Sequence, residues 1–175
     1  MADSPDFPEH FERDLIAHAV TAVFRSAAAC EPALAPGADV LTLLPDLPEP
    51  GEPGEGGPVI VAGMAGFHGE AAGLFTLHLE LDFARLCAAR LQGVPPESLG
   101  DAAINETVGR LTTRTASEFA HGLTRAGYEC EASAASILRG GNFSMEPLSH
   151  AERHWHHFDC GEHRLVADVM IRWLA

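Results

Sequence analysis

One long proline-free segment, residues 99–123, constrains the fold of this chain more than any other feature. Its apolar side chains recur at intervals of three and four residues, the spacing that places them along one side of an α-helix. The stripe consists of Ile104, Val108, Leu111, Thr115, Phe119 and Leu123. A long helix with one apolar side has to bury that side against another layer of the protein. We therefore predict a helix over residues 99–123 that packs on a partner layer.

The other segments predict that the partner layer is a sheet. Amphipathic spacing indicates a helix over residues 8–29, and Asp82 and Gly93 are typical of the cap and the end of a short helix between them. Short apolar runs bounded by Gly and Pro are typical of strands. Such segments occur at residues 40–44, 59–62 and 74–79, and after Gly127 we predict three closing strands at residues 128–138, 154–159 and 164–174, the last two around a turn at Gly161. Strands and helices do not alternate, which favours an α+β fold, with an antiparallel sheet of about six strands and helices packed on one face.

Glycine and proline mark the connections between these elements. We predict a hairpin between the second and third strands, and its turn falls near Gly66, Gly69 and Gly73. Pro, Gly and Glu dominate residues 46–58, which predicts a mobile acidic loop. We expect one domain over residues 1–175.

The charge balance excludes several classes of partner. The chain carries 25 acidic and 11 basic side chains, a formal net charge of −14. Nucleic acids and anionic membranes both need clustered Lys and Arg, so we expect neither as a partner. The acidic N-terminus is unlike a secretory signal, which needs a positive start, and no uncharged stretch reaches the length of a membrane span. We expect the protein to reside in the cytoplasm.

Cysteines and histidines are the residues that could ligate a metal. The four cysteines lie far apart without a C-x-x-C pair, so we predict free, mostly buried thiols. Histidines and other ligand types cluster near the C-terminal end, at His150, His154, His156, His157, Asp159, Cys160, Glu162 and His163. On a strand His154 and His156 share one face, and a hairpin brings His163 opposite them. Because the spacing fits no zinc signature, we predict partly exposed histidines on an edge strand and assign no metal ligands.

Several segments from residue 59 onward occur in an order that resembles a known family. They are Gly66-Phe67-His68-Gly69 with Gly73, Leu77-His78-Leu79, residues 83–93, the helix 101–113, Ser136-Ile137-Leu138-Arg139-Gly140 and the final hairpin. Their order and spacing resemble the CheX-like branch of the CheC/CheX chemotaxis phosphatases, and the first helix fits the leading helix of that family.

The resemblance implies a function and a partner. Such proteins remove the phosphoryl group from a phospho-aspartate in a response-regulator receiver domain, using a Glu-x-x-Asn pair on the long helix. Residues three apart are neighbours on a helix, so the carboxylate and the amide reach the partner together. The carboxylate engages a lysine of the receiver and the amide holds a water in line with phosphorus. The Mg²⁺ ion and the phosphorylated aspartate belong to the receiver, so no cofactor is expected on this chain.

The matching positions here are Glu106 and Gly109, so the carboxylate is present and the amide is missing. The resemblance therefore implies a domain that binds a CheY-like receiver, with phosphatase activity weak or lost. Asn105 is the nearby substitute, but it projects about 100° away from Glu106 and is not expected to reach the same phosphoryl group without a distortion of the helix. The alternative is an active phosphatase that uses Glu106 with Asn105, or with an amide from a dimer partner.

Helical geometry also predicts a contact surface without reference to the family. Small residues share the side of the helix that carries Glu106, opposite the apolar stripe. They are Ala102, Gly109, Thr113 and Ala120. Our predicted partner-binding surface consists of Ala102, Glu106, Gly109, Arg110 and Thr113. An assembly module that uses the small-residue face to form a homodimer is a further alternative. Glu106 also precedes Arg110 by four residues, so an ordinary surface ion pair is the other interpretation of this carboxylate.

Overall fold

The computed structural model describes residues 10–35, 59–141 and 150–174. Within these ranges the chain forms three α-helices, which are α1 (Phe11–Ala28), α2 (Leu81–Gln92) and α3 (Asp101–Arg125), and a short 3-10 helix at Pro96–Ser98. None of these helices combines the length and the apolar character needed to cross a lipid bilayer. The strand predicted at residues 40–44 and the acidic loop predicted at residues 46–58 lie outside the described residues.

Seven strands form one antiparallel sheet in the described part of the chain. They are β1 (Ala33–Leu34), β2 (Ile60–Gly69), β3 (Ala71–Glu80), β4 (Cys130–Ala132), β5 (Ser136–Gly140), β6 (Glu152–Cys160) and β7 (His163–Trp173). The strand order is β1-β6-β7-β3-β2-β4, and β5 also pairs with β2. The predicted α+β class is confirmed.

All three helices contribute to one core on a single face of the sheet. The strand register places Val61, Leu79 and Leu165 side by side on that face, and all three are buried. Aromatic rings join the layers, since Phe75 of β3 lies 5.5 Å from Phe119 of α3, centroid to centroid. Every residue of the predicted stripe is at most 1% exposed, which confirms the periodicity argument.

Helix α3 lies very close to the sheet at Gly63 of β2. A Cβ atom there would overlap the hydroxyl oxygen of Thr112. Thr112 is itself fully buried, and its hydroxyl donates a hydrogen bond to the carbonyl oxygen of Val108 at 2.8 Å. The helix can lie this close to the strand because residue 63 has no side chain.

Two predicted boundaries near the hairpin were wrong. Strand β3 continues to Glu80 and α2 begins at Leu81, so Asp82 lies in the first turn of the helix and is not its cap. The turn is also tighter than predicted, because it falls at Gly69 and Glu70, where Gly69 has a φ of 147°. Gly66 and Gly73 lie inside the paired strands instead of the turn.

The last part of the chain holds one strand more than predicted. The single strand expected over residues 128–138 is broken into β4 and β5. The break falls at Ser133, whose backbone N–H and side chain both bond to the backbone of Gly66. Both strands pair with β2, but the register shifts by one residue between the pairs Phe67–Ala132 and Met64–Ser136. The two-residue strand β1 was not predicted, because two residues carry no periodic signal.

A buried charged cluster lies on the face of the sheet opposite the helices. Asp168 of β7 alternates with core residues and so points away from the helices, yet its side chain is fully buried. Arg153 binds it with two hydrogen bonds, Nε to Oδ1 at 3.0 Å and Nη2 to Oδ2 at 2.8 Å. The guanidinium of Arg153 also lies 4.3 Å from the ring centroid of Trp155. Burial raises the pKa of Asp168, but His78 and Arg153 lower it more, so it lies below the usual value.

The close approach at Gly63 predicts how two glycine substitutions differ. Gly63→Ala forces a methyl group against Thr112 and should lower the free energy of unfolding by about 1–3 kcal/mol. Gly109→Ala on α3 meets nothing closer than 3.7 Å, and the better helix propensity of alanine should raise stability by up to about 1 kcal/mol. Urea denaturation measures both, and equal effects of the two variants would contradict the packing argument.

The Asp168 cluster predicts the acid dependence of stability. Because the pKa of Asp168 is lower in the folded state, its contribution is present above the ordinary value of 3.8 and is lost as the pH falls through the folded-state value. Asp168→Asn should cost about 2–4 kcal/mol near neutral pH, because the guanidinium of Arg153 loses its buried carboxylate. The difference between variant and wild type should shrink at about pH 3.

The matched control is Asp159→Asn, since Asp159 is an exposed carboxylate whose oxygen lies 3.4 Å from Arg164. This change should alter stability by less than about 1 kcal/mol, as is typical of surface ion pairs. A cost for Asp168→Asn that did not depend on pH would show that the carboxylate charge plays no part.

Candidate functional site

An open groove of about 460 Å³ runs between the outer side of α3 and the chain leading into β5. It is lined by Asn105, Glu106, Gly109, Arg110, Thr113, Arg114, Ala135 and Ile137. The first six residues come from α3, so the lining includes four of the five residues of the predicted partner-binding surface.

Two contacts hold the walls of the groove in place. At one end Arg139 of β5 pairs with Asp101 in the first turn of α3, Nη1 to Oδ1 at 2.9 Å. At the other end the backbone N–H of Ala135 donates to the hydroxyl oxygen of Thr113 at 3.0 Å. Strand β5 is also fixed to the sheet, where Ile137 pairs with Gly63. The groove is therefore built from packed elements on both sides.

Glu106 is exposed at the edge of this groove. The ion pair with Arg110, which was the alternative interpretation of its role, is not formed in the described part of the chain. The carboxylate and the guanidinium both border the groove, and neither is neutralised by the other. Both charges are accordingly available to an external ligand.

Gly109 lies beside Glu106, one helical turn along α3. A Cβ atom at this position would lie 3.7 Å from Cδ1 of Ile137, an ordinary van der Waals contact. No backbone approaches closely enough to require glycine here, and the neighbour that covers it belongs to the same chain. A Cβ atom therefore fits at residue 109, although glycine has none.

Asn105 lies at the edge of the buried stripe, as the angular spacing predicts, and it is half-buried. Its side chain borders the same groove as Glu106. The oxygen Oδ1 is buried and accepts no hydrogen bond from the described residues. Since α3 is continuous from Asp101 to Arg125, nothing in the helix rotates Asn105 toward Glu106.

The remaining predictions for this face have different outcomes. Ala102 is exposed but does not line the groove, and Thr113 is held by Ala135. The placement of Ala120 on the exposed face was wrong. It is 1% exposed, because α1 packs against the second half of α3, where Leu15 contacts Gly122.

Three lining residues were missed by the sequence analysis. Arg114 follows Arg110 by four residues, so helical spacing alone could have placed it on this face. Ala135 and Ile137 gave no such signal, because their position depends on the pairing of β5 with β2.

The histidines near the C-terminal end do not converge. His154 and His156 share the helix-facing side of β6, with ring centroids 6.5 Å apart, whereas His157 points to the other face. His163 pairs with Cys160 and stacks on Phe83 at 5.1 Å, so the predicted approach of His163 to the other two was wrong. Burial, followed by the neighbouring His154, lowers the pKa of His156 to about 4.

The four cysteines are free and buried, as predicted. Burial raises the pKa of Cys87 to about 12, and it raises those of Cys130 and Cys160 as well. A thiol that stays protonated at neutral pH is a poor nucleophile, so these three residues do not indicate thiol catalysis.

An antiparallel sheet with helices on one face is the fold of solved CheX and CheC-like chemotaxis proteins. The family model described as chemotaxis phosphatase CheX matches residues 61–159, more than half of the chain, and the protein belongs to this family. Among curated proteins no match is found.

Solved structures with the same fold include three of this group. The chain is 13% identical to the chemotaxis protein CheX from Vibrio vulnificus, with a TM-score of 0.71 over 92% of this chain and 96% of that one. It is 18% identical to a CheC-like superfamily protein from Shewanella, with a TM-score of 0.68 over 93% and 97%. The CheX of the CheX-CheY-BeF3-Mg complex from Borrelia burgdorferi is 15% identical, with a TM-score of 0.66 over 92% and 97%. At these identities the likeness concerns the fold alone.

Proposed function

We propose that this protein binds the phosphorylated receiver domain of a response regulator through the outer face of α3, and that Glu106 is the central contact. The observation that carries the proposal is an exposed carboxylate without an ion-pair partner, on a well-packed helix and at the edge of an open groove. A CheX relative from Borrelia burgdorferi has been solved in complex with CheY, which supports a receiver as the partner.

The charges around the groove fit such a partner. Arg110 and Arg114 bring two positive charges to the groove of a chain whose net charge is −14. A receiver presents a lysine, which would face Glu106. It also presents acidic groups and its phosphoryl group, which would face the two arginines. Charge complementarity of this kind speeds association and fixes orientation more than it adds affinity.

We further propose that phosphatase activity is weak or lost. In the mechanism that family membership implies, the amide of a Glu-x-x-Asn pair positions the attacking water, and Gly109 has no side chain with which to do so. Catalysis of phosphoryl transfer is largely positioning and electrostatic stabilisation, so the absence of the positioning group removes a main source of the rate. Mg²⁺ and the phosphorylated aspartate would be supplied by the receiver.

One observation favours a second candidate, an active phosphatase that uses Asn105. Its side chain borders the same groove as Glu106, and its Oδ1 atom has no hydrogen-bond partner among the described residues. Against this, Asn105 is half-buried and offset by about 100° from Glu106 on an uninterrupted helix. We therefore favour binding without efficient turnover.

The central contact predicts the behaviour of Glu106→Ala. This change should weaken binding to a CheY-like receiver that carries beryllofluoride and Mg²⁺ by about tenfold or more, since it leaves a buried charge of the partner unpaired. Because the side chain is exposed and makes no ion pair among the described residues, the melting temperature should hardly change. Titration calorimetry and thermal denaturation measure the two effects.

A charge-matched control for this variant is Glu97→Ala, because Glu97 is exposed on the 3-10 helix and lies outside the groove. This control should bind the receiver like the wild type. If Glu106→Ala and Glu97→Ala lowered affinity equally, a general loss of negative charge would explain the result, and the proposed contact would be wrong.

The missing amide predicts a gain of function. Gly109→Asn restores the Glu-x-x-Asn pair at a position with room for a side chain, so it should accelerate phosphate release from a phosphorylated receiver about tenfold or more. Gly109→Ala is the control, since it adds a Cβ atom and the same gain in helix propensity over glycine without an amide. Release is measured with a phosphate sensor under single-turnover conditions.

Two outcomes of this assay would contradict the loss of activity. The first is fast release by the wild type that Asn105→Ala abolishes, which would establish the second candidate function. The second is equal release by Gly109→Asn and Gly109→Ala, which would show that an amide at residue 109 has no role.

A further inference from the structure

A set of metal-ligating side chains joins the start of α1 to the start of β6, far from the groove. Glu12, Glu152 and His154 each offer one ligand atom, and these atoms all lie within 4.8 Å of one another. Glu12 is distant from the other two in sequence, so no spacing motif links them. The fold alone brings them together.

The strand register explains why these side chains meet. Glu152 pairs with Ile171 and His154 pairs with Val169, both of which are core residues, so both ligands project from β6 toward the helices. Helix α1 packs over β6, and Glu12 lies in its first turn. Two adjacent positions on one face of a strand and one position on the overlying helix therefore form a three-sided site.

The ligand atom of His154 is not satisfied by the protein. Nε2 of His154 is buried and has no hydrogen-bond partner among the described residues, and the nearest carboxylate oxygen, Oε2 of Glu152, is 3.7 Å away. That separation is longer than a hydrogen bond. The side chain of Glu12 likewise makes no hydrogen bond or ion pair within the described part of the chain. A buried imidazole nitrogen beside two carboxylates is an arrangement that a bound cation would satisfy.

We propose that Glu12, Glu152 and His154 bind a divalent transition-metal ion, Zn²⁺ in the first instance, which links α1 to β6. Two oxygens and one imidazole nitrogen suit Zn²⁺ better than Mg²⁺ or Ca²⁺, which prefer oxygen ligands throughout. Water would complete the coordination, as it does where three protein ligands leave a position open. The ion would act as a cross-link between two elements and so stabilise the folded state.

Zinc titration of the full chain, after treatment with EDTA, tests the site. Calorimetry should show one ion per chain with a dissociation constant in the micromolar range or tighter, and Zn²⁺ should raise the melting temperature. Glu12→Gln and His154→Gln should each weaken Zn²⁺ binding by about 10- to 100-fold and remove that rise. Circular dichroism without metal should show both variants folded, since each change keeps the size of the side chain.

Two controls separate this site from adventitious binding by the other ligating side chains. His121→Gln alters an exposed histidine on α3 and should leave Zn²⁺ affinity unchanged. Co²⁺ in place of Zn²⁺ should show no sulfur-to-metal charge-transfer band, because no thiol belongs to the site. Binding weaker than millimolar, affinity unchanged in Glu12→Gln and His154→Gln, or a thiolate band would each overturn the proposal. None of these results bears on the binding of a receiver.

Discussion

The packing of α3 on the sheet is the constraint on which the rest of the structure depends. The helix buries its apolar stripe against the strands and lies in tight contact with them where Gly63 faces Thr112. That contact fixes the height of α3 above β2 and, through Ile137, which pairs with Gly63, the distance from α3 to β5. The groove is the outer edge of this interface, so the geometry around Glu106 follows from packing in the core.

Much of the fold could be predicted because its signals are local and periodic. The stripe of α3, the β2–β3 hairpin and the closing hairpin of β6 and β7 each follow from the spacing of apolar residues. The errors have non-local causes. The strand predicted over residues 128–138 is interrupted at Ser133, which bonds to Gly66 of β2, and α1 covers Ala120 because of how the two helices pack. Neither contact can be recognised from the local spacing of apolar residues.

Part of the candidate site could likewise be predicted from local spacing, and part could not. Residues on one face of α3 could be placed by angle, and these include Glu106, Gly109 and Arg110. The second wall of the groove could not, because Ala135 and Ile137 reach it through strand pairing. The same limit applies to Glu12 and His154, whose proximity depends on α1 lying over β6. Site residues that lie on one helix or strand can be grouped from the sequence. Site residues that come from different elements can be grouped only when the fold is known.

The contact distance between Gly109 and Ile137 has an evolutionary consequence. Because Ile137 leaves ordinary contact distance over this position, a lineage could gain or lose a side chain there without repacking the domain. The effect of such a change on stability would be limited to the difference in helix propensity, up to about 1 kcal/mol. Under the proposed role of residue 109, a single substitution on α3 would convert a receiver-binding domain into a phosphatase, or the reverse, while the scaffold stays the same.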